Sequence, residues 1–288
     1  MLLNPDEITK IPVFILHWNR PHECLKTVES FLQQGEEIIE ITIIDNNSSL
    51  DNFQYLQSNL PPNINLVSLP ENKGWGGAFN ILLKRWLENS SSEYCFISAH
   101  DTLLHQGCLQ LLLQGMDANP NVGIACPEYG YPTLPKYSPI RGPFMIPTDP
   151  RERGFVEPVD FAHATLSLFR KSCIQMIGLF DERYFAYGDE YDISLRARSY
   201  GWDTAIVWGA VITNPGSWTS KPIQSYLLAR NTLLLALIHG GTYKALIRTV
   251  LMLINTLRMS IFLMISKEVA LAKFKGIYDF LSQHYGQP

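Results

Sequence analysis

The chain has no surplus of basic charge: 23 Lys and Arg stand against 27 Asp and Glu, a formal net charge of -4 over 288 residues. A broad nucleic-acid footprint needs clustered cations, so that class of function is excluded. Cysteine is sparse. The five (Cys24, Cys95, Cys108, Cys126, Cys173) are odd in number and contain no C-x-x-C pair. Four lie inside apolar stretches, which reads as buried reduced thiols in a cytosolic protein. The opening residues MLLNPDEITK carry acid where a secretory leader would have a basic start and an apolar run. Neither G-x-x-x-x-G-K-[ST] nor G-x-G-x-x-G occurs around the glycine-rich Lys73–Gly77 stretch. What is present is an ordinary globular composition, 46% hydrophobic and 17% charged. That suffices for one large α/β domain, or for a core with a smaller appendage.

Short β-rich apolar runs alternate with helical periodicity. Strands are predicted at residues 11–17, 38–44, 65–69, 94–98 and 122–126, with helices near 24–32, 77–86 and 106–116. This alternation implies right-handed βαβ units and a largely parallel sheet. Ligands of such sheets bind beyond the carboxyl ends of the strands. Those ends read Asn19-Arg20, Asp45-Asn46-Asn47, Glu71-Asn72-Lys73-Gly74 and His100-Asp101, four polar termini around one crevice. Residues 129–158 are rich in proline and without period, a long surface excursion of the kind that often carries function. Order resumes at 159–169, which alternates like a single strand, and a further helix begins near Asp189.

Three groups carry possible chemistry. Asp101 either ligates Mg²⁺ or Mn²⁺ bridging a diphosphate, or caps the next helix. Gly74, Gly76 and Gly77 with Lys73 either admit a phosphate-bearing ligand or simply form a turn. Asp189, Glu190 and Asp192 either complement a helix dipole or supply a general base, with Asp189 and Asp192 on one face and one carboxylate free to pair with Arg196.

In this order, VFILHWNRPHECLKTVESF, IIDNNSS, LPENKGWGGAFN, FISAHD and FDERYFAYGDEYDISLRARSYGW resemble family 2 glycosyltransferases, especially the rhamnosyltransferase-like branch. The resemblance spans residues 11–217. It implies the GT-A fold, a Rossmann-like, mostly parallel central sheet flanked by helices, with a C-terminal helical appendage. The catalytic domain would be 1–222, its nucleotide-sugar half about 1–127 and its acceptor half about 128–222, followed by a helical segment 223–288. By the same resemblance His17 and Asn19 lie along the nucleotide, Asp45 contacts the base, and Asn72, Lys73, Gly76 and Gly77 border the donor's ribose and sugar. Asp101, beside His100, takes the last position of a D-x-D-like motif and binds the metal-diphosphate. Glu190 is the base, with Asp189 its competitor, and Trp202 matches the aromatic that ends the block. Two positions depart from the pattern. Ala99 replaces the first D-x-D carboxylate, and Asn214 stands where a metal-assisting His is often found, so a divalent Mg²⁺ or Mn²⁺ would be held mostly by substrate.

The implied reaction is inverting transfer of a hexosyl or rhamnosyl group from a nucleotide-sugar to a hydroxyl of a glycan or lipid-linked acceptor, in cell-surface or exopolysaccharide synthesis. The acceptor is expected near the proline-rich excursion and His163. Residues 226–238 and 244–265 are apolar but carry Arg230, Arg248 and Arg258, which argues against a full membrane crossing. With Lys267, Lys273 and Lys275 they suit a basic amphipathic helix on the inner face of the cytoplasmic membrane, or a hairpin packed on the core or on a second copy in a homodimer. A catalytically silent nucleotide-sugar or carbohydrate-binding module and a membrane-bound scaffold remain the alternatives.

Overall fold

The computed structural model describes residues 10–216 and 218–288; the leader reading of the first nine residues lies outside them. Strand β1 (Ile11–His17), helix α1 (Pro21–Leu32), β2 (Ile39–Asp45), α2 (Leu50–Asn59), β3 (Asn65–Ser68), α3 (Gly74–Asn89) and β4 (Tyr94–Ala99) alternate as expected. β1 pairs in parallel with β2 and β4, and β2 with β3. Val13 and Ile15 face one buried layer while Phe14 and Leu16 face the other. Both faces of the sheet are covered, which explains the unbroken apolar runs. His17 lies opposite Asp45, and Leu16 opposite Ala99, so three strand ends emerge at one level. Pro21 opens α1, where its missing N–H costs nothing.

The chain continues through β5 (Leu103–Leu104), α4 (Cys108–Ala118), β6 (Val122–Pro127), β7 (Thr133–Ser138), β8 (Gly142–Pro147), β9 (Val156–Val159), β10 (Leu166–Arg170), α5 (Lys171–Ile177), α6 (Asp189–Ser199), β11 (Asp203–Val207) and β12 (Ile212–Thr213). The large sheet has the order β3-β2-β1-β4-β10-β6-β11-β9, with β10 and β9 antiparallel to their neighbours. The stretch read as one strand at 159–169 is two. β9 pairs at the sheet edge with β11, whereas β10 lies between β4 and β6, so residues 160–165 must cross the strand ends. The proline-rich excursion is also more ordered than its composition suggests, because β7 and β8 pair as a hairpin over its middle. All five cysteines are buried free thiols, as their apolar surroundings predict.

Two helices complete the chain, α7 (Lys221–Ile261) and α8 (Lys267–Leu281). The first apolar run and all but the last four residues of the second fall in α7, which kinks at Gly241 (φ 80, ψ 169). Before the kink Leu233, Leu234 and Leu235 are buried; after it Leu246, Ile254 and Leu257 are exposed. Arg230 and Arg248 turn inward and are buried, rather than forming a charged outer face. Among the described residues no helix is long and apolar enough to cross a membrane.

Candidate active site

A cleft of about 1370 Å³ opens beyond the carboxyl ends of β1 and β4. Its walls include Asn19 and Arg20 after β1, Ala99–Asp101 after β4, the crossing segment at 163–165, and Asp189 with Glu190 at the start of α6. The β7–β8 hairpin and the α7–α8 pair close the remaining side.

Asp101 is 8% exposed, and each carboxylate oxygen accepts one hydrogen bond: Asn214 Nδ2 donates to Oδ1 at 2.8 Å and Trp218 Nε1 donates to Oδ2 at 2.9 Å. The Arg20 guanidinium lies 4.2 Å over the Trp218 ring, a stacking that fixes the indole. Asp101 does not cap α4, whose N-cap is Gly107 in the left-handed region (φ 79). Asn214 accepts from Gly216 N–H at 2.7 Å. It therefore offers Asp101 its amide nitrogen and braces the carboxylate, while its oxygen, engaged once by Gly216, is the atom that the metal-ligand role given to Asn214 in the sequence would use. Beside it, His100 donates from Nδ1 to Leu16 O at 3.1 Å, and its Nε2 is buried without a partner. Burial pushes the His100 ring below the ordinary histidine range. No group of three or more His, Cys, Asp or Glu able to hold a metal occurs among the described residues. The donor set thus fits a cation only as one carboxylate, Asp101, with most ligands supplied by substrate.

His17 and Asp45 form the floor beneath the cleft rather than its lining, at 0% and 1% exposure. His17 Nδ1 donates to Asp45 Oδ1 at 2.8 Å, while its Nε2 accepts from Arg20 N–H at 3.1 Å. Burial opposes the Asp45 charge, but hydrogen bonds from His17 and Ser48 outweigh it and hold the carboxyl below its usual range. The pair fixes the turn that carries Asn19, itself at φ 54, onto the wall. Asn46 performs a similar task on the next loop: it donates to Asn72 Oδ1 and to Gly74 O, both at 2.9 Å, and accepts from Lys73 N–H.

Asn72, Lys73, Gly76 and Gly77 do not line the cleft, and Lys73 Nζ reaches Glu71 at 2.5 Å. The glycines serve a close approach within the protein. Gly74 has φ 72, and a Cβ there would collide with the Phe185 carbonyl; at Gly76 it would lie 2.7 Å from Phe180 Cβ. The N-terminus of α3 can therefore meet the loop before α6, where Gly76 N–H donates to Asp189 Oδ2 at 3.1 Å.

That contact separates the acidic trio. Asp192 is buried between Arg196 and His239, each at 2.8 Å. Asp189 is 1% exposed, and burial, followed by the adjacent Glu190, raises its carboxyl well above the usual range. Glu190 is half-buried on the cleft wall, its Oε2 accepting from Gly188 N–H at 2.8 Å. Of the two candidate bases, Glu190 has the access. The loop carrying it is strained, with Phe185 and Tyr187 at φ 65 and 62. α7 secures it: Asn231 Nδ2 donates to the carbonyls of Tyr184, Ala186 and Tyr187 at 2.7–2.8 Å, and Arg230 Nη2 to that of Tyr184 at 3.0 Å. The polar pair inside an apolar run was the visible signal of this clamp; its target was not. Across the cleft, His163 donates from Nε2 to Pro127 O at 3.1 Å and leaves Nδ1 bare. Trp202 packs against the core and does not reach the site.

Residues 13–178 match the family described as glycosyl transferase family 2. The chain is 24% identical over 271 residues to the N-acetylglucosaminyl-diphospho-decaprenol L-rhamnosyltransferase of Mycobacterium tuberculosis, covering 83% of this chain and 88% of that one. It is 23% identical over 169 residues to the low-salt glycan biosynthesis hexosyltransferase Agl10 of Haloferax volcanii, 56% of this chain and 54% of that one. Among solved structures, the mannosyltransferase PcManGT of Pyrobaculum calidifontis, in complex with GDP-Man and Mn²⁺, superposes with TM-score 0.59 at 13% identity, over 98% of this chain and 88% of that chain. S. aureus TarS 1–349 in complex with UDP-GlcNAc gives 0.55 at 14% identity, over 95% and 81%. The sheet order, the motif positions and the family match agree: the chain is a glycosyltransferase of family 2 with the GT-A fold.

Proposed function

We propose that the chain transfers a sugar from a nucleotide-diphosphate donor to a hydroxyl of a lipid-linked saccharide, with inversion, as a step in cell-surface or exopolysaccharide synthesis. One observation carries this reading: Glu190 and the Asp101–His100 corner face the same cleft, which exceeds the roughly 300–1,000 Å³ of a single-ligand site. Two substrates can meet there. The donor is assigned to the β1–β4 side, with Asn19, His100 and Asp101 in contact and His17, Asp45, Asn72, Lys73, Gly76 and Gly77 shaping the wall from behind. The lipid-linked acceptor is supported by the similarity to the mycobacterial enzyme, whose name specifies a diphospho-decaprenol substrate. Two of the similar structures hold nucleotide-sugars, one of them with Mn²⁺. Division at about residues 127 and 222 follows from this assignment, with the helices beyond 222 as a third wall.

Glu190 accepts the proton of the attacking hydroxyl, which displaces the diphosphate in line at the anomeric carbon. Asp189, its carboxyl raised by burial and the adjacent Glu190, braces α3 through Gly76 and leaves the proton transfer to its neighbour. A divalent cation, Mg²⁺ or Mn²⁺, would be held by Asp101 and the donor diphosphate and would neutralise the leaving charge. Each Asp101 oxygen accepts one hydrogen bond and keeps a second lone pair for a cation or donor. Exposed apolar residues after the α7 kink, up to Phe262 and Leu263 at the turn into α8, with Lys267 nearby, suit peripheral contact with an anionic membrane surface.

The donor assignment is tested by melting the protein against UDP-, GDP- and dTDP-sugars with Mn²⁺ or Mg²⁺. At least one should raise the melting temperature and be slowly hydrolysed. No shift and no turnover across the panel would refute it.

A further inference from the structure

Within that reading, we propose that Arg141, Arg248 and Lys273 form a second anion subsite, on the wall built by the β7–β8 hairpin and the C-terminal helices, that takes the diphosphate of the lipid-linked acceptor. Arg248 is the key observation. The residue is 9% exposed, yet among the described residues its side chain's only hydrogen bond is Nη1 to Ile140 O at 2.8 Å, and its Nε has no partner. None of the ion pairs among the described residues includes Arg248, Arg141 or Lys273. A buried cation without a counter-charge is costly, and a carboxylate normally accompanies it. Here the place of the missing anion is open cleft, because all three cations line it.

The hairpin is shaped around this group. Gly142 turns at φ 86 directly against the guanidinium, and any Cβ there would collide with it. The preceding residue, Arg141, lays its own guanidinium 3.9 Å over the Phe144 ring. The Arg248 guanidinium lies against this turn through Ile140 and Gly142, with Arg141 of the same turn also lining the cleft, and guanidinium groups suit the bidentate, charged face of a diphosphate. Thr256, at 1% exposure, also has a buried hydroxyl without a partner beside the cleft. Burial pushes the Arg248 guanidinium below its ordinary value, the strain that an arriving anion relieves.

The surroundings select a lipid-linked diphosphate over a free one. Leu251 and Met252 of α7 line the cleft beside Arg248, and the helix continues outward through exposed Ile254, Leu257 and Ile261. A prenyl chain leaving the diphosphate along this strip would keep apolar surface from water up to the membrane. The sugar on the diphosphate's other side would point into the cleft toward Glu190.

The probe is farnesyl diphosphate, below its aggregation concentration, titrated calorimetrically with farnesol and inorganic pyrophosphate in parallel. Farnesyl diphosphate should bind at least about tenfold more tightly than either, and UDP should not displace it. Arg141→Ala, on an exposed side chain, and Arg248→Lys should each weaken binding by about ten- to a hundredfold, the loss of charged hydrogen bonds, with melting temperatures retained. Equal affinity for farnesol, displacement by UDP, or unchanged binding in Arg141→Ala would overturn the site. So would binding to phosphatidylglycerol vesicles that Arg141→Ala abolishes while farnesyl diphosphate is ignored, since the cations would then serve a membrane headgroup. The donor panel on the wild-type protein keeps the two claims apart: a nucleotide-sugar shift without prenyl-diphosphate selectivity removes this subsite alone.

Discussion

Two histidines of the cleft wall, His100 and His163, each spend one ring nitrogen on a backbone carbonyl and keep the other bare. Burial pushes both rings below the ordinary histidine range, which favours their neutral forms. It lowers His163 from the ordinary 6.5 to about 4. The sign for stability follows. A base whose folded value is depressed contributes fully above its unfolded value, and the contribution is lost as pH falls from about 6.5 toward about 4. Melting temperature should therefore drop across that window. His163→Gln should flatten the drop by up to ~3 kcal/mol, and His100 accounts for part of what remains. Asp189 runs the other way. Its raised carboxyl is fully accommodated only at low pH, and stability is lost as pH rises from the unfolded carboxylate value through the folded one. Asp189→Asn should consequently melt higher than wild type at pH 8, and a lower melting point there would contradict the raised carboxyl.

Helices α3 and α7 act on the same loop from opposite sides, one through glycine backbone and the other through an amide side chain. Removing the Asn231 amide leaves the carbonyls of Ala186 and Tyr187 without this donor inside a strained turn, at a cost of about 1–3 kcal/mol for each buried acceptor. Asn231→Ala should then lower kcat by more than it raises the donor KM, because Glu190 is displaced while Asp101 and His100 are untouched. Hydrogen exchange over residues 184–190 should rise. Gly74→Ala should destabilise by at least ~1 kcal/mol for its left-handed backbone alone, with the Phe185 contact adding to it. These devices mark what the sequence could and could not convey. Periodicity located α3 and the start of α6, and the glycine cluster announced a close approach. The approached surface, at Phe180, Phe185 and Asp189, lies far along the chain and had no local signal, so the glycines resembled a ligand-facing loop. Likewise an alternating pattern at 159–169 could not reveal that its two ends pair with different strands. Polar strand ends were legible as a ring; that His17 and Asp45 turn beneath it depends on a side-chain pairing between β1 and β2 that only the register supplies.

At the scale of the molecule, four parts of the chain supply the cleft walls: the strand ends before residue 102, the crossing and hairpin segments between 129 and 165, the loop and α6 start at 186–191 with Glu190, and the residues after 213 that lead into the C-terminal helices. The helical part was legible as amphipathic and basic, but Arg230 turns onto the loop that carries Glu190 and Arg248 into the cleft wall, while Arg258 stays exposed, so the helices also shape the cleft. The central claim is that this shared space brings a hydroxyl to Glu190 opposite a donor held at Asp101 and His100. The most direct test compares sugar transfer and donor affinity in Glu190→Gln, using the nucleotide-sugar selected by the melting panel and a short prenyl-diphosphate saccharide as acceptor. The account predicts donor affinity within a few-fold of wild type and transfer reduced by about a hundred- to ten-thousandfold. Transfer at the wild-type rate in Glu190→Gln would contradict it.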